Sequence, residues 1–298
     1  MRYNTLKRAG LTISEVSFGC MSLKAETKDN DAIISKAIND GVNLFDTADL
    51  YDKGGNEKLL GNALKGKRND VLISTKVGNR WKDDGSGWDW TPRKSYILQA
   101  IDESLKRLQT DHIDLYLLHG GTLEDPIDEV VEAFEQLTDL GKIRAYGISS
   151  IRPSVIREYI THANTAAVMT QYSILDRRPE EETLNLLYEN EIGILARGTV
   201  ASGLLIDKPA KEYLDFTREQ VAAVLKDFGA HAAVGISAPV SPMRYVIDNP
   251  AITTAVVGIR TMQQLDDALT AAAASPLTPA QLQELKRLQS VSFYREHR

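Results

Sequence analysis

Short runs of hydrophobic residues recur along the chain at intervals of about thirty residues. They are rich in Val, Ile and Leu, as is typical of parallel strands that are covered on both faces. We predict eight strands from them. They lie near Val16 to Gly19, Val42 to Phe45, Val71 to Lys76, Ile113 to Leu118, Ile143 to Ile148, Ala167 to Thr170, Ile192 to Leu195 and Thr254 to Val257.

Helical patterns separate these runs. Between Ile127 and Leu140 the hydrophobic residues are spaced three or four apart, which places them on one face of a helix that Gly141 ends. The segments from Thr217 to Phe228 and from Thr278 to Gln289 each begin with Thr and carry Gln three residues later. That spacing predicts a capping box at the start of each helix.

The alternation of strand and helix predicts the α/β class and a closed (β/α)₈ barrel, known as a TIM barrel. We expect a single domain over residues 1–298, because no long polar or Pro/Ser-rich linker interrupts the pattern. A β-hairpin across Lys7-Arg8-Ala9-Gly10 is expected before the first barrel strand. The eighth strand comes late, after an irregular stretch with Pro239, Pro242 and Pro250.

Composition narrows the possible partners and location. Acidic residues outnumber basic ones by 41 to 35, so we expect no nucleic-acid or anionic-membrane partner. The single cysteine, Cys20, fits a reducing compartment. Neither a signal peptide nor a membrane span is apparent, and we expect a cytoplasmic protein. The sequence does not indicate the oligomeric state.

Four ionisable side chains stand at or just after the ends of predicted strands: Asp46, Tyr51, Lys76 and His119. In a barrel these ends meet at one mouth, where catalytic groups are found. A tyrosine with an ordinary pKa of about 10 is a poor acid at neutral pH, and a nearby ammonium stabilises the phenolate that forms. We therefore predict that Tyr51 donates a proton with help from Lys76 and Asp46, while His119 contacts a substrate oxygen or joins the proton relay.

Other interpretations of these residues remain open. Asp46 with Lys76 could be a structural ion pair, Tyr51 a loop residue and His119 a core histidine. Lys76 could instead be the Schiff-base nucleophile of an aldolase or lyase, since barrel aldolases also place a lysine at a strand end. An adjacent carboxylate argues against that role because it keeps the lysine protonated.

The motifs around these residues resemble those of the aldo-keto reductases. They are Phe18-Gly19-Cys20-Met21, Phe45-Asp46-Thr47-Ala48-Asp49-Leu50-Tyr51, Ser74-Thr75-Lys76, Leu117-Leu118-His119 and Gly147-Ile148-Ser149-Ser150. Their order and spacing agree over nearly the whole chain. The resemblance implies an oxidoreductase that uses NADP(H) for carbonyl reduction of a small aldehyde or ketone. Tyr51 would be the proton donor and His119 would orient the carbonyl. A non-catalytic, cofactor-sensing subunit is the alternative within the same family.

The resemblance also implies a set of cofactor-binding residues. Ser149 and Gln171 would bind the nicotinamide carboxamide, with Ser150 a weaker donor, and Arg197 would stack under the ring. Gly258, Arg260 and the residues after them would hold the adenosine 2′-phosphate. The complete expected set is Gly19, Cys20, Met21, Asp46, Ser149, Ser150, Gln171, Arg197, Gly198, Thr199, Gly258, Arg260, Thr261, Gln264 and Asp267.

The aromatic segment from Arg80 to Trp90 follows the third strand as a long loop. At a barrel mouth it could form a substrate wall, or it could pack on itself at the surface. Trp81 is the best candidate within it to line the pocket, beside Tyr51 and His119. We assign no metal, because the histidines other than His119 lack metal-ligand spacing: His112, His162, His231 and His297.

Overall fold

A computed structural model describes residues 1–232, 239–289 and 292–296. His297 and the side chain of His231 lie outside this description. The strands are β1 (Tyr3–Leu6), β2 (Leu11–Ser14), β3 (Val16–Gly19), β4 (Leu44–Asp46), β5 (Leu72–Val77), β6 (Asn79–Trp81), β7 (Trp88–Trp90), β8 (Ile113–Leu118), β9 (Ile143–Ser149), β10 (Ala167–Gln171), β11 (Gly193–Arg197) and β12 (Thr254–Gly258). The helices are α1 (Asn30–Asn39), α2 (Gly55–Ala63), α3 (Lys94–Leu108), α4 (Ile127–Asp139), α5 (Pro153–His162), α6 (Thr183–Glu189), α7 (Arg218–Ala232), α8 (Val240–Ile247), α9 (Met262–Ala273) and α10 (Pro279–Arg287).

Eight parallel strands close into a barrel in the order β3, β4, β5, β8, β9, β10, β11 and β12. This confirms the predicted (β/α)₈ class. Because side chains alternate along a strand, one set faces the barrel interior and the other faces the helices. Leu44, Leu115 and Leu195 belong to the inner cluster, whereas Phe45 and Tyr116 pack in the outer one.

The predicted N-terminal hairpin is present and closes the N-terminal end of the barrel. β1 and β2 pair antiparallel, and Leu6, Leu11 and Ile13 join the inner cluster. A Cβ added to Gly193 would lie 1.8 Å from a methyl carbon of Leu6, so the leucine fills space that only glycine leaves. A catalytic or binding site is therefore expected at the C-terminal ends of the barrel strands.

Three predicted strand starts are wrong: β5 begins at Leu72 rather than Val71, and the other two errors share one cause. β4 begins at Leu44 rather than Val42, and β11 begins at Gly193 rather than Ile192. The Val42 amide donates to Ala37 and the Ile192 amide donates to Leu187. Each hydrogen bond closes the end of the preceding helix, so these hydrophobic residues cap a helix instead of joining the barrel.

The aromatic segment after the third barrel strand forms a hairpin rather than a loop. β6 and β7 pair antiparallel, with Trp81 opposite Trp88. Trp90 packs against Gly78 and Gly120, where an added Cβ would lie 2.6 and 3.4 Å from its ring. Both glycines have positive φ values, +125° and +144°, which glycine adopts without strain. The hairpin is thereby fixed beside the ends of β5 and β8.

The predicted capping boxes are present. At α10, the Gln281 amide N–H donates to the Thr278 hydroxyl, and the Gln281 side chain accepts from the Thr278 amide. Thr217 and Gln220 make the same pair of contacts at the start of α7. None of the helices in the described ranges is both long and apolar enough to span a bilayer.

Candidate active site

The ends of three neighbouring strands bring the four predicted catalytic side chains together. Lys76 Nζ lies 2.7 Å from Asp46 Oδ2 and 3.4 Å from the Tyr51 hydroxyl. It also donates to the Thr47 carbonyl at 2.6 Å. The rings of Tyr51 and His119 meet edge to face, with centroids 5.7 Å apart. The phenol thus lies between an ammonium and an imidazole.

The period of two along each strand explains this convergence. Asp46 stands two residues after Leu44, which faces the interior, and His119 stands two residues after Leu117, which does so too. Lys76 lies on the same face of β5 as Leu72, which packs against that cluster. Tyr51 comes from the turn after β4, where the Tyr51 amide donates to the Ala48 carbonyl.

Lys76 carries a charge at the bottom of this mouth. Burial alone works against the ammonium, but Asp46 and Tyr51 together outweigh it and raise the pKa of Lys76 above 10.5. Its side chain is 1% exposed. The lysine is therefore held as a cation beside the phenol oxygen, where it stabilises negative charge.

His119, unlike Lys76, is held in its neutral form. Burial, and then the positive charges of Lys76 and Arg197, lower the pKa of His119 to about 3. The imidazole is consequently neutral at any pH at which the protein would operate. Nδ1 is buried and has no hydrogen-bond partner in the described ranges. A neutral ring can donate one hydrogen bond to a substrate oxygen, but it has no surplus proton to transfer.

The ends of β10 and β11 carry a second polar group. The Arg197 guanidinium donates to Gln171 Oε1 at 2.8 Å, and Gln171 Nε2 donates to the Tyr213 hydroxyl at 3.1 Å. A Cβ on Gly198 would lie 3.2 Å from the Gln171 side chain, which has room because residue 198 is glycine. Arg197 and Gln171 thus form a connected pair at the mouth.

The other predicted cofactor-binding residues near β9, β10 and β11 differ in their exposure to solvent. Ser149 ends β9 and is partly exposed. The Ser150 hydroxyl accepts from the Arg152 amide at 3.1 Å, in the turn just before α5 begins. Thr199 is almost fully buried, with 1% exposure.

The end of β12 leads directly into the N-terminus of α9. Gly258 and Arg260 are exposed, and Thr261 caps the helix by accepting from the Gln264 amide. The Gln264 side chain accepts from the Arg260 amide at 3.0 Å. Asp267 accepts from Gln263 at 2.9 Å on the outer face. An exposed arginine beside a helix N-terminus is a suitable anion site.

The predicted segment Gly19-Cys20-Met21 divides between surface and core. A Cβ on Gly19 would lie 3.1 Å from the Val257 carbonyl, so β3 and β12 meet closely there. Cys20 is fully buried, and burial raises the pKa of its thiol well above the ordinary value. Met21 is 61% exposed. Of the three residues, only Met21 offers an exposed side chain at the mouth.

Comparison with known proteins decides the family. A profile of the Aldo/keto reductase family matches residues 15–290. The chain belongs to the aldo-keto reductase family. It is therefore an oxidoreductase of a family that reduces carbonyl groups and uses a nicotinamide cofactor.

Two relatives are similar over the full length of the chain, and a third over about two thirds of it. The oxidoreductase YqkF of Bacillus subtilis is 44% identical, and the alignment covers 100% of both chains. The holo structure of the aldo-keto reductase AKR11C1 from Bacillus halodurans is 41% identical with a TM-score of 0.94, covering 100% of this chain and 99% of that one. The aldo-keto reductase yakc [NADP(+)] of Schizosaccharomyces pombe is 31% identical, over 69% of this chain and 63% of its own.

Several residues of this reductase site escaped the sequence analysis. The Asn79 side chain donates to the His119 carbonyl at 3.2 Å. Trp81, which the sequence analysis did name, donates through Nε1 to the Leu50 carbonyl at 3.1 Å. Tyr213 comes from an irregular segment 42 residues beyond Gln171 in sequence. No spacing rule connects such positions. For Asp49, the only signal is its place two residues before Tyr51.

Proposed function

We propose that the protein reduces an aldehyde or ketone to an alcohol with NADPH, that Tyr51 is the proton donor, and that residues 1–298 act as a single domain. The observation that carries this proposal is the 3.4 Å contact between Lys76 Nζ and the Tyr51 hydroxyl. A cation at that distance stabilises the phenolate left after proton transfer.

The neutral state of His119 supports the assignment of the acid. An imidazole whose pKa lies at about 3 carries no second proton at neutral pH, so it cannot be the donor. It can donate a hydrogen bond to the carbonyl oxygen and thereby orient the substrate. Tyr51 is then the group beside it with a proton to give.

The residues at the mouth fit a nicotinamide dinucleotide. His119 has a buried nitrogen without a partner among the described residues, and Gln171 and Arg197 present an amide and a guanidinium at the ends of β10 and β11. When bound, the cofactor would supply the hydride. Gln171 and Ser149 would hold the carboxamide, with Ser150 as a further donor, and Arg197 would lie against the ring.

The adenosine end would be held by the segment after β12. Arg260 is exposed next to the N-terminus of α9, and both favour a phosphate group. An added Cβ on Gly258 would meet only Ser22 Oγ, at 3.7 Å, so the approach to this helix end is uncrowded. The relative from Schizosaccharomyces pombe carries NADP(+) in its name. Together these features favour NADPH over NADH.

The aldolase alternative is disfavoured by the same geometry. A Schiff base needs a neutral amine, whereas Lys76 is held as an ammonium by Asp46 at 2.7 Å. Borohydride treatment with a carbonyl substrate should leave Lys76 unmodified. A covalent adduct on Lys76 would revive the aldolase interpretation.

Replacement of the proton donor tests the proposal. Turnover is followed as loss of NADPH absorbance with propanal and with para-nitrobenzaldehyde. In Tyr51→Phe the ring and the pocket shape are kept, so NADPH binding should persist while kcat falls by roughly 10²–10⁴-fold.

Two results would contradict the assignment. If Tyr51→Phe turns over at the wild-type rate, the proton comes from another group. If the wild-type protein binds NADPH but reduces no member of a broad panel of aldehydes and ketones, a cofactor-sensing role replaces catalysis. Transfer of deuterium from nicotinamide-labelled NADPH to the product carbon separates true carbonyl reduction from non-specific NADPH oxidation.

A further inference from the structure

Behind the turn that carries Tyr51, a second group of polar side chains lies on the outer face of the barrel. Asp49 points to this side, away from the mouth, and is 8% exposed. It borders a cleft of about 270 Å³ between that turn, the β6–β7 hairpin and α3. The titratable and charged groups that face its carboxyl or line the cleft are Glu57 from α2, Tyr96, Glu103 and Arg107 from α3, Tyr116 from β8, Lys53 from the turn and Arg80 from β6.

Hydrogen-bond accounting indicates which form Asp49 takes. The Tyr96 hydroxyl lies 3.5 Å from Asp49 Oδ2 and 3.4 Å from the Asn79 carbonyl oxygen. A phenol has one proton and cannot donate to both. If Asp49 is a neutral acid, it donates to the Tyr96 oxygen and Tyr96 donates to Asn79, so both contacts are satisfied. If Asp49 is ionised, Tyr96 donates to only one of the two oxygens; the Leu50 amide remains a donor to the carboxylate, but one of the two Tyr96 contacts is lost.

The electrostatic surroundings favour the same form. Burial, and then the neighbouring carboxylate of Glu57, raise the pKa of Asp49 to about 8, although Arg107 acts in the opposite direction. Arg107 is already engaged, since its Nε donates to Glu57 at 2.7 Å. Thr75 donates to the other Glu57 oxygen at 2.6 Å. Arg107, the cation that lowers the pKa of Asp49, is therefore already paired with the Glu57 carboxylate.

This network connects Asp49 to all three strand ends that carry the proposed catalytic groups. The Asp49 amide donates to the Lys76 carbonyl at 3.3 Å. Through Tyr96 it reaches Asn79, whose side chain donates to the His119 carbonyl at 3.2 Å. Tyr51 follows two residues after Asp49 in the same turn. A change of charge on Asp49 would disturb the positions of Lys76, Tyr51 and His119 together.

We propose that Asp49 is a positioning residue of the reductase site: its carboxyl group, in the neutral acid form, holds the turn from residue 47 to 51 against Lys76 and Asn79, and loss of its proton lowers turnover. This inference rests on the proposed role of Tyr51. It differs from a purely structural ion pair with Arg107, in which Asp49 would be ionised and its removal would be destabilising at high pH.

The pH profile of kcat tests the proposal, with Asp49→Asn as the variant that keeps the shape and the donor of the neutral acid. If ionised Asp49 is inactive, wild-type kcat at pH 9 should be about tenfold below its value at pH 7, since a group with a pKa of about 8 is then roughly nine-tenths ionised. Asp49→Asn should lack this fall, while NADPH affinity stays unchanged. Glu103→Gln removes an exposed carboxylate from the same cleft and should keep the wild-type profile.

Stability against pH gives a readout that needs no turnover. An acid whose pKa is raised in the folded state contributes stability below its unfolded pKa and loses it as pH rises to the folded pKa. Asp49→Asn should therefore gain in thermal stability relative to the wild type between about pH 5 and pH 9. A loss of stability in Asp49→Asn that stays the same from pH 5 to pH 9 would instead support the ion pair with Arg107 and overturn the proposal.

The outcomes separate this inference from the proposed function. If Tyr51→Phe stays active, the role of Tyr51 is wrong, whatever Asp49 does. If Tyr51→Phe is inactive but Asp49→Asn still loses activity near pH 8, only the Asp49 proposal fails. A wild-type profile that is flat up to pH 9 would overturn it as well.

Discussion

Lys76 places an ammonium group where water hardly reaches, with 1% of its side chain exposed. A buried charge is tolerated when a partner and hydrogen bonds surround it, and Asp46 and the Thr47 carbonyl supply both at 2.7 and 2.6 Å. The third N–H of the ammonium is directed towards the Tyr51 hydroxyl. Removing Asp46 would leave the cation unpaired, so loss of activity in such a variant would mix chemistry with lost stability.

Arg260 offers a cleaner test, because it is exposed and its loss leaves no buried charge unpaired. Arg260→Ala should weaken NADPH binding by about tenfold or more, as expected for a lost charge-assisted hydrogen bond of about 1.5–3 kcal/mol. NADH affinity should change little. The dissociation constants for both cofactors can be measured by fluorescence titration.

Lys7→Ala is the control for overall charge, since it removes a cation from the hairpin at the opposite end of the barrel. It should leave both affinities unaltered. Equal weakening of NADPH and NADH by Arg260→Ala would assign the arginine to some other part of the cofactor site.

At the scale of elements, the β6–β7 hairpin is the feature that shapes the mouth beyond the barrel itself. Trp90 anchors it by packing on two glycines and donating to Asp125 at 2.8 Å. Trp81 joins it to the turn that carries Tyr51 through the Leu50 carbonyl, and the Lys53 ammonium lies 5.0 Å from the centre of the Trp81 ring. The hairpin is therefore rigid enough to serve as one wall of a substrate site.

Trp81→Ala should raise KM for bulky carbonyl compounds while NADPH affinity stays constant. The reason is that the indole donates to the Leu50 carbonyl, next to Tyr51 in the proposed site. Steady-state kinetics with propanal and para-nitrobenzaldehyde would separate size-dependent effects from a general loss. Trp88→Ala, on the facing strand and 49% exposed, is the matched control. Identical kinetics for all three proteins would assign Trp81 to packing alone.

The whole molecule divides its tasks between the two ends of the barrel. The N-terminal hairpin fills one end with Leu6, Leu11 and Ile13, while the other end keeps polar groups buried and partly unpaired. A buried neutral histidine makes folding sensitive to acid, because the histidine binds a proton in the unfolded chain at a pH where it stays neutral in the folded protein. His119 is such a group.

We therefore expect the loss of folding stability at acidic pH to depend on His119. Its folded pKa of about 3 lies below the ordinary 6.5, so its contribution is complete above about pH 6.5 and is lost as pH falls towards 3. At pH 5 the cost to the wild type is on the order of 2 kcal/mol. The free energy of unfolding in urea of His119→Asn, relative to that of the wild type, should therefore be higher at pH 5 than at pH 7. A difference that is the same at both pH values would show that His119 is not held neutral.

Local patterns in the sequence were sufficient for the fold class and for grouping the four proposed catalytic side chains. Strand runs, helix periodicity and capping boxes depend on neighbours within a few residues, so the chain itself carries the signal. Asp46, Lys76 and His119 could be grouped for a related reason. Parallel strands of one barrel end at the same mouth, and residues at strand ends must meet there.

Only the tertiary structure decided where strands begin and what surrounds the proposed catalytic groups. Val42 and Ile192 look like strand residues, yet hydrogen bonds to the preceding helices hold them outside the ladder. The outward turn of Asp49, and its link through Tyr96 to Asn79, depend on contacts between segments that the sequence keeps far apart. Hydrophobic periodicity reports which face of an element is buried. It does not report which polar groups share a single proton, because that depends on distances set by packing across the whole barrel.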